Sequence, residues 1–125
     1  MIVDSSALVA ILWSERDAPA LSHAIESTAA RVSAATLVET SIIVGAEMHA
    51  NLDELVQAAG FLVAPFDDEQ YRVARTAYAR YGKGSGSRAR LNLGDCFSYA
   101  LAKTTGLPLL FKGDDFTHTD VEPAL

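Results

Sequence analysis

Apolar and polar positions along this chain follow two different periods. Residues 1–3, 31–33, 61–63 and 109–111 are short apolar or β-branched runs, too short for helices, and are predicted as strands. Between them the apolar positions recur every three or four residues. Leu8, Ile11 and Leu12 mark a helix over 5–13. Asp17, Ala18 and Pro19 start a second, running to about Thr28, with proline in its first turn. Ser33 is placed to cap a long helix from 34 to about 50. A further helix over 51–59 carries Leu52, Leu55 and Val56 and stops at Gly60. Asp67 or Asp68 caps a helix to Tyr81, with Tyr71, Ala74, Ala77 and Tyr78 on one stripe. Asn92 caps the last helix, over 93–105, and Gly106 closes it. The tail from Lys112 is polar and turn-rich, with a short final strand expected near Val121. Strands alternating with helices predict an α/β fold in which helices cover a central, mostly parallel sheet. In such sheets sites form at the carboxyl ends of the strands.

A length of 125 residues fits one domain over 1–125. Half the residues are apolar and 21% charged, which excludes a disordered or fibrous chain. The longest apolar stretches, 7–13 and 58–66, fall well short of the ~20 residues that span a bilayer. No basic segment precedes the first apolar run, and Cys96 has no second cysteine to pair with, so a reducing cytoplasm is the expected compartment. The net charge of −6 argues against a protein that coats nucleic acid. Yet Arg72, Arg75, Arg80, Lys83, Arg88 and Arg90 cluster in one stretch. Such a segment suits contact with a phosphate backbone at one place, or simply a solvated helix face and loop.

The acids carry more information. Asp4 directly follows the first strand, where an Asp usually caps a helix; Ser5 and Ser6 could do that as well. Glu39 is the only charged residue between Val32 and Ala46, and Leu37, Val38, Ile42, Ile43 and Val44 predict that its helix is buried on most faces. A lone carboxylate there is costly unless it is paired or bound to a cation; a capping box with Thr36 is the plainer account. Asp95 falls in the first turn after Asn92, favourable for the helix dipole alone, with Gly94 leaving the backbone open beside it. Asp114 and Asp115 follow the fourth strand in a turn that could be merely solvated. Gathered at one sheet edge, these carboxylates would repel and take up protons unless a cation neutralised them. Oxygen-only ligands suit Mg²⁺, with Mn²⁺ as a substitute. His23, His49 and His118 show no ligand spacing, which excludes a zinc site. Aspartyl-phosphate chemistry fits poorly: Asp4-Ser5-Ser6 lacks a second acid, and Pro65-Phe66 separate Asp67 from the third strand.

Four segments, in order, resemble the PIN-domain ribonucleases and, among them, the VapC-type toxins of bacterial toxin–antitoxin pairs: MIVDSSALVAIL, AATLVET, LNLGDCFSYALA and PLLFKGDDFTHTD. The resemblance spans the chain. It implies a three-layer α/β/α domain and a Mg²⁺-dependent endoribonuclease acting on transfer or ribosomal RNA. Asp4, Glu39 and Asp95 match the first three acidic positions. At the fourth, Phe111 and Gly113 stand where members carry Thr and Asp, and the Asp115-Phe116 pair assigns that carboxylate to Asp115, with Asp114 and Asp120 as alternatives. Asp4 and Asp95 are then expected to hold the metal most directly, with Glu39 and Asp115 holding a second ion or water, and Glu39 orienting or deprotonating the attacking water. Ser6 and Asn92 would support them, Ser98 less so, and Arg80, Lys83, Arg88 and Arg90 would guide RNA. The implied partners are a VapB-type antitoxin, expected to block the acids with an Arg or Lys, and a second copy of the chain, whose contact apolar residues such as Trp13 and Leu21 would supply. The substitution at Gly113 supports one rival reading, a PIN-like binding module without catalysis.

Overall fold

Four parallel strands form the sheet: β1 (Ile2–Val3), β2 (Arg31–Ser33), β3 (Leu62–Ala64) and β4 (Leu109–Leu110). The computed structural model describes residues 1–125. The strand order is β3-β2-β1-β4, so the chain winds outward from β1 to β3 and then crosses back to place β4 on the other side of β1. The winding direction therefore reverses between β1 and β4, the position where parallel sheets open a crevice. Ile2 pairs with both Arg31 and Leu109, and Val3 with Leu110, which brings the carboxyl ends of β1 and β4 level.

Six helices cover the sheet: α1 (Ser5–Leu12), α2 (Ala18–Glu26), α3 (Ala34–Val44), α4 (His49–Ala58), α5 (Asp68–Tyr81) and α6 (Leu93–Thr105). Side chains alternate between the faces of a strand, so even these very short strands serve two cores. Ile2 and Leu109 pack with Ala74, Ala77 and Tyr81 of α5 and Cys96, Tyr99 and Leu101 of α6. Val3, Val32 and Leu110 pack with Ala7, Leu8, Leu21 and Ile25 of α1 and α2 and with Phe61. This is the three-layer α/β/α arrangement expected from the alternation of elements. No helix is long and apolar enough to cross a membrane.

The caps follow the sequence closely. Ser33, Asp67 and Asn92 each accept a backbone N–H in the first turn of the helix that follows. Four expectations need correction. The helix expected from 34 to about 50 ends at Val44, because Gly45 adopts φ +85°, a conformation open to glycine. A 3₁₀ turn over Ala46–Met48 then leads into α4 at His49, two residues before the expected start. No strand forms at Val121: the tail contributes one isolated bridge, Leu109 with Pro123. And α3 is not buried on most faces. Its buried side carries Thr36, Thr40 and Val44, while Val38 is 61% and Ile42 76% exposed. The two threonines can be buried because Thr40 donates its hydroxyl to the Thr36 carbonyl and Thr36 pairs with Ser98.

The tail is tied down at several points. Phe116, in a 3₁₀ turn over Asp115–His118, is buried against Phe111, with ring centroids 5.2 Å apart. Asp120 accepts the Tyr99 hydroxyl at 2.7 Å and pairs with Lys103 at 3.1 Å. Leu109 exchanges backbone hydrogen bonds with Glu122 and Ala124.

Candidate metal and catalytic centre

The carboxyl ends of β1 and β4 open into a cleft of about 490 Å³ whose lining includes Asp4, Glu39, Asp95 and Asp115. Asp4 directly follows β1 and caps α1. Its Oδ2 accepts both the N–H and the hydroxyl of Ser6, at 3.0 and 2.7 Å, and its Oδ1 accepts the Ser98 hydroxyl at 2.6 Å. The cap and the acid of the cleft are thus one residue, and the two accounts of Asp4 do not compete. Asp4 is 1% exposed, and burial raises its carboxyl above the usual range against the pull of these hydrogen bonds.

Asp95 likewise has two roles. It forms a reciprocal capping box with Asn92: Asn92 Oδ1 accepts the Asp95 N–H and Asp95 Oδ2 accepts the Asn92 N–H, both at 2.9 Å. That bond favours the carboxylate, yet burial, together with the charges of Asp4, Asp115 and Glu39, pushes the group up to about 7. Glu39 reaches the cleft from α3. Its carboxyl is raised by burial, which the nearby Ser5 side chain opposes and the charge of Asp4 reinforces. No capping box joins it to Thr36; Ser33 caps α3 through the Ala35 N–H. Glu39 Oε1 is buried and has no hydrogen-bond partner.

Asp115 begins the 3₁₀ turn after β4 and is exposed at the cleft's edge. Asp114 is not among the lining residues and uses its carbonyl to accept the Thr117 N–H and hydroxyl. Asp120 is engaged by Tyr99 and Lys103. Ser6 supports Asp4 directly and also accepts the Lys112 N–H at 3.0 Å, linking the two strand ends. Ser98 and Thr36, by contrast, matter more than sequence reasoning gave them. Together they form a buried chain leading to Asp4. The signal for Ser98 was its place one helical turn after Asp95; Thr36 gave none. Lys112 was also missed. It lies on the cleft's rim, paired with Glu15 at 2.7 Å and Asp17 at 3.5 Å. Arg80, Lys83, Arg88 and Arg90 are all exposed, and none lines the cleft. Arg80 stacks on Tyr81, 4.7 Å from its centroid.

The donor set fits a hard divalent cation. All its ligating atoms are oxygens, burial and then the charges of its acidic neighbours push Asp95 up to about 7, and a buried carboxylate oxygen stands unpaired. No three of the side chains converge into a finished ligand cage. Beside the cleft and sharing Glu39, Asn92 and Ile43 with it lies an apolar groove of about 570 Å³, walled by Val38, Ile42, Leu93 and Phe97. Phe97 and Leu93 continue it to Phe66, Tyr71 and Tyr78. The exposed apolar surface is therefore centred on α3, α5 and the start of α6. Leu21, expected to contribute, is in the core; Trp13 is 51% exposed.

Comparison with known proteins agrees with this architecture. The PIN domain family profile matches residues 1–122. Ribonuclease VapC42 of Mycobacterium tuberculosis is 51% identical over 99% of this chain and 98% of its own length. Ribonuclease VapC28 of the same organism is 48% identical over 100% and 98%. Among solved structures, M. tuberculosis VapC20, a sarcin-ricin loop cleaving toxin, superposes with a TM-score of 0.73 at 16% identity, covering 98% of both chains. A toxin–antitoxin complex from Klebsiella pneumoniae gives 0.69 at 20% identity, covering 95% of this chain and 92% of that one. The chain belongs to the PIN-domain family and, within it, to the VapC ribonucleases.

Proposed function

We propose that this VapC ribonuclease hydrolyses phosphodiester bonds of transfer or ribosomal RNA at the β1–β4 cleft, using Mg²⁺ or Mn²⁺, as the toxin of a cytoplasmic toxin–antitoxin pair. The observation that carries the reading is the meeting of Asp4, Glu39, Asp95 and Asp115 around one cleft, with Glu39 Oε1 buried and unpaired. Asp4 and Asp95 hold the cation, and Glu39 and Asp115 complete its surroundings. A bound divalent cation supplies activation of water and neutralisation of charge on the phosphate. The chain's own part is positioning. Ser6 and Ser98 fix both oxygens of Asp4, and Asn92 fixes one oxygen of Asp95. Glu39 Oε1, free of protein donors, accepts a hydrogen bond or a proton from the attacking water. Lys112 and the basic segment from Arg80 to Arg90 supply positive charge for an RNA backbone arriving at an otherwise acidic surface.

The test is cleavage of structured RNA by the purified chain, with 5′ ends sequenced. Cleavage should vanish with EDTA and return with Mg²⁺. Asp115→Asn should lower the rate ~100-fold, the scale of losing a charge at a reacting centre. Asp114→Asn and Asp120→Asn should leave it within about threefold. Undiminished cleavage in EDTA overturns the metal reading, and loss at Asp114 without loss at Asp115 overturns the assignment of the fourth acid.

The partners in this reading are a VapB-type antitoxin and a second copy of the chain. The apolar surface over Val38, Ile42, Leu93 and Tyr78 supports the second. Light scattering during size exclusion should give a dimer, and Ile42→Glu, at a residue outside the core, should give a folded monomer. A wild-type monomer at micromolar concentration removes the second copy from the reading.

A further inference from the structure

Gly94 is the second residue of α6, and its conformation does not require glycine: unlike Gly45 or Gly106, it has no positive φ. Inside a helix, alanine is favoured over glycine by about 1 kcal/mol. Something other than the backbone therefore accounts for this residue. A Cβ built at Gly94 would overlap the Cδ and Oε2 of Glu39 outright, and its third neighbour is Oε1 of the same carboxylate. The Glu39 carboxylate lies against the open Cα of α6, one residue before Asp95.

We propose that Gly94 is a positioning residue for the acid centre. The missing side chain creates the seat in which the Glu39 carboxylate rests on the first turn of α6, and this fixes Glu39 relative to Asp95. Two elements remote in sequence, α3 and α6, each contribute an acid, and Gly94 sets the distance between them. The neighbour that must yield to a methyl group is the far end of a flexible side chain, so enlargement displaces the acid rather than the fold. The inference rests on the metal-ribonuclease reading only where cation and RNA are concerned; the seat itself is a property of the free protein.

The experiment compares wild type, Gly94→Ala, Glu39→Asp and the double variant. Gly94→Ala should keep or raise the thermal midpoint, move the ¹³C resonance of the Glu39 carboxyl in metal-free protein, and weaken Mn²⁺ binding in calorimetry about tenfold. For RNA cleavage kcat should drop at least tenfold, with KM changed less than threefold. Glu39→Asp withdraws the carboxylate by one methylene, so adding Gly94→Ala to it should cost little, a strong departure from additivity. An unmoved Glu39 resonance, wild-type Mn²⁺ affinity in Gly94→Ala, or strict additivity overturns the proposal. So does a thermal midpoint that collapses equally in Gly94→Ala and in the double variant, which would make Gly94 a packing residue. If wild type binds no Mn²⁺ and cuts no RNA, the functional reading fails, while the Glu39 resonance still decides on the seat.

Discussion

Asp95→Asn should give a protein that is more stable than wild type and at least ~100-fold less active. The two effects share one cause. A carboxyl raised from 3.8 to about 7, first by burial and then by the charges of Asp4, Asp115 and Glu39, is about half-ionised at neutral pH and costs the fold whichever form it takes. A displacement of that size corresponds to about 4 kcal/mol. The asparagine amide removes the cost of a buried charge and the repulsion, but replaces a charge-assisted bond to the Asn92 N–H with a neutral one. A net gain on the order of 2 kcal/mol is the expected balance, or a thermal midpoint about 5–10 °C higher. Asp4→Asn should also fold. Its carbonyl oxygen can keep the two Ser6 donors, while its NH₂ faces Ser98, whose hydroxyl can then turn towards Thr36. Differential scanning calorimetry beside a cleavage assay checks both variants. A destabilised Asp95→Asn, or one as active as wild type, contradicts the description of this acid.

The metal-free protein should lose stability as pH rises from about 4 to about 7, and Mg²⁺ should restore it. The folded-state value of Asp95 lies above its unfolded one, and those of Glu39 and Asp4 are shifted the same way. The folded chain therefore binds more protons than the unfolded chain between about 4 and 7. Stability from this source is complete below the unfolded value and is lost as pH rises through the folded one. Asp120 is shifted down by Tyr99 and Lys103 despite some burial, so its contribution changes only at pH below the ordinary carboxylate range and leaves this window alone. A cation bound only by the folded state replaces the protons; at a hundred times its dissociation constant it adds about 2.7 kcal/mol. Thermal midpoints in EDTA and in Mg²⁺ across this range provide the measurement. A midpoint that rises with pH in EDTA, or that ignores Mg²⁺ at the alkaline end, contradicts the description of these carboxyls as raised by burial and by one another.

Much of the fold was readable because its signals are local. Ser33, Asp67 and Asn92 announce helix starts by their own chemistry, and the four short apolar runs fall within a residue or so of the strands. Gly45 was not readable in the same way, since V-G-A within an apolar run looks like helix interior until the positive φ is seen. Glu39 was singled out on a premise only half right. The apolar residues around it do not enclose it; several face outward, and hydroxyls occupy the buried side of α3. Periodicity shows which residues share a face but not whether that face meets the core or remains open. Ser98 ranks too low in the sequence and Thr36 reads there only as a capping-box partner, because a buried hydroxyl has no pattern of its own and acquires meaning only from its partner across the fold.

The anchored tail has a practical meaning for anyone who shortens or fuses this protein. Asp115 sits on an exposed turn, yet the turn is clamped on both sides: by β4 and the Phe111–Phe116 contact before it, and by the Asp120 ties and the Leu109 backbone bonds after it. Residues 119–125 place only Val121 in one core and Ala124 against the other, so the fold should tolerate a truncation there better than the cleft does. The truncation would release the downstream clamp and leave one carboxylate of the cleft on a loose end. The integrity of the cleft is therefore a stricter criterion for choosing the carboxyl boundary than the integrity of the fold.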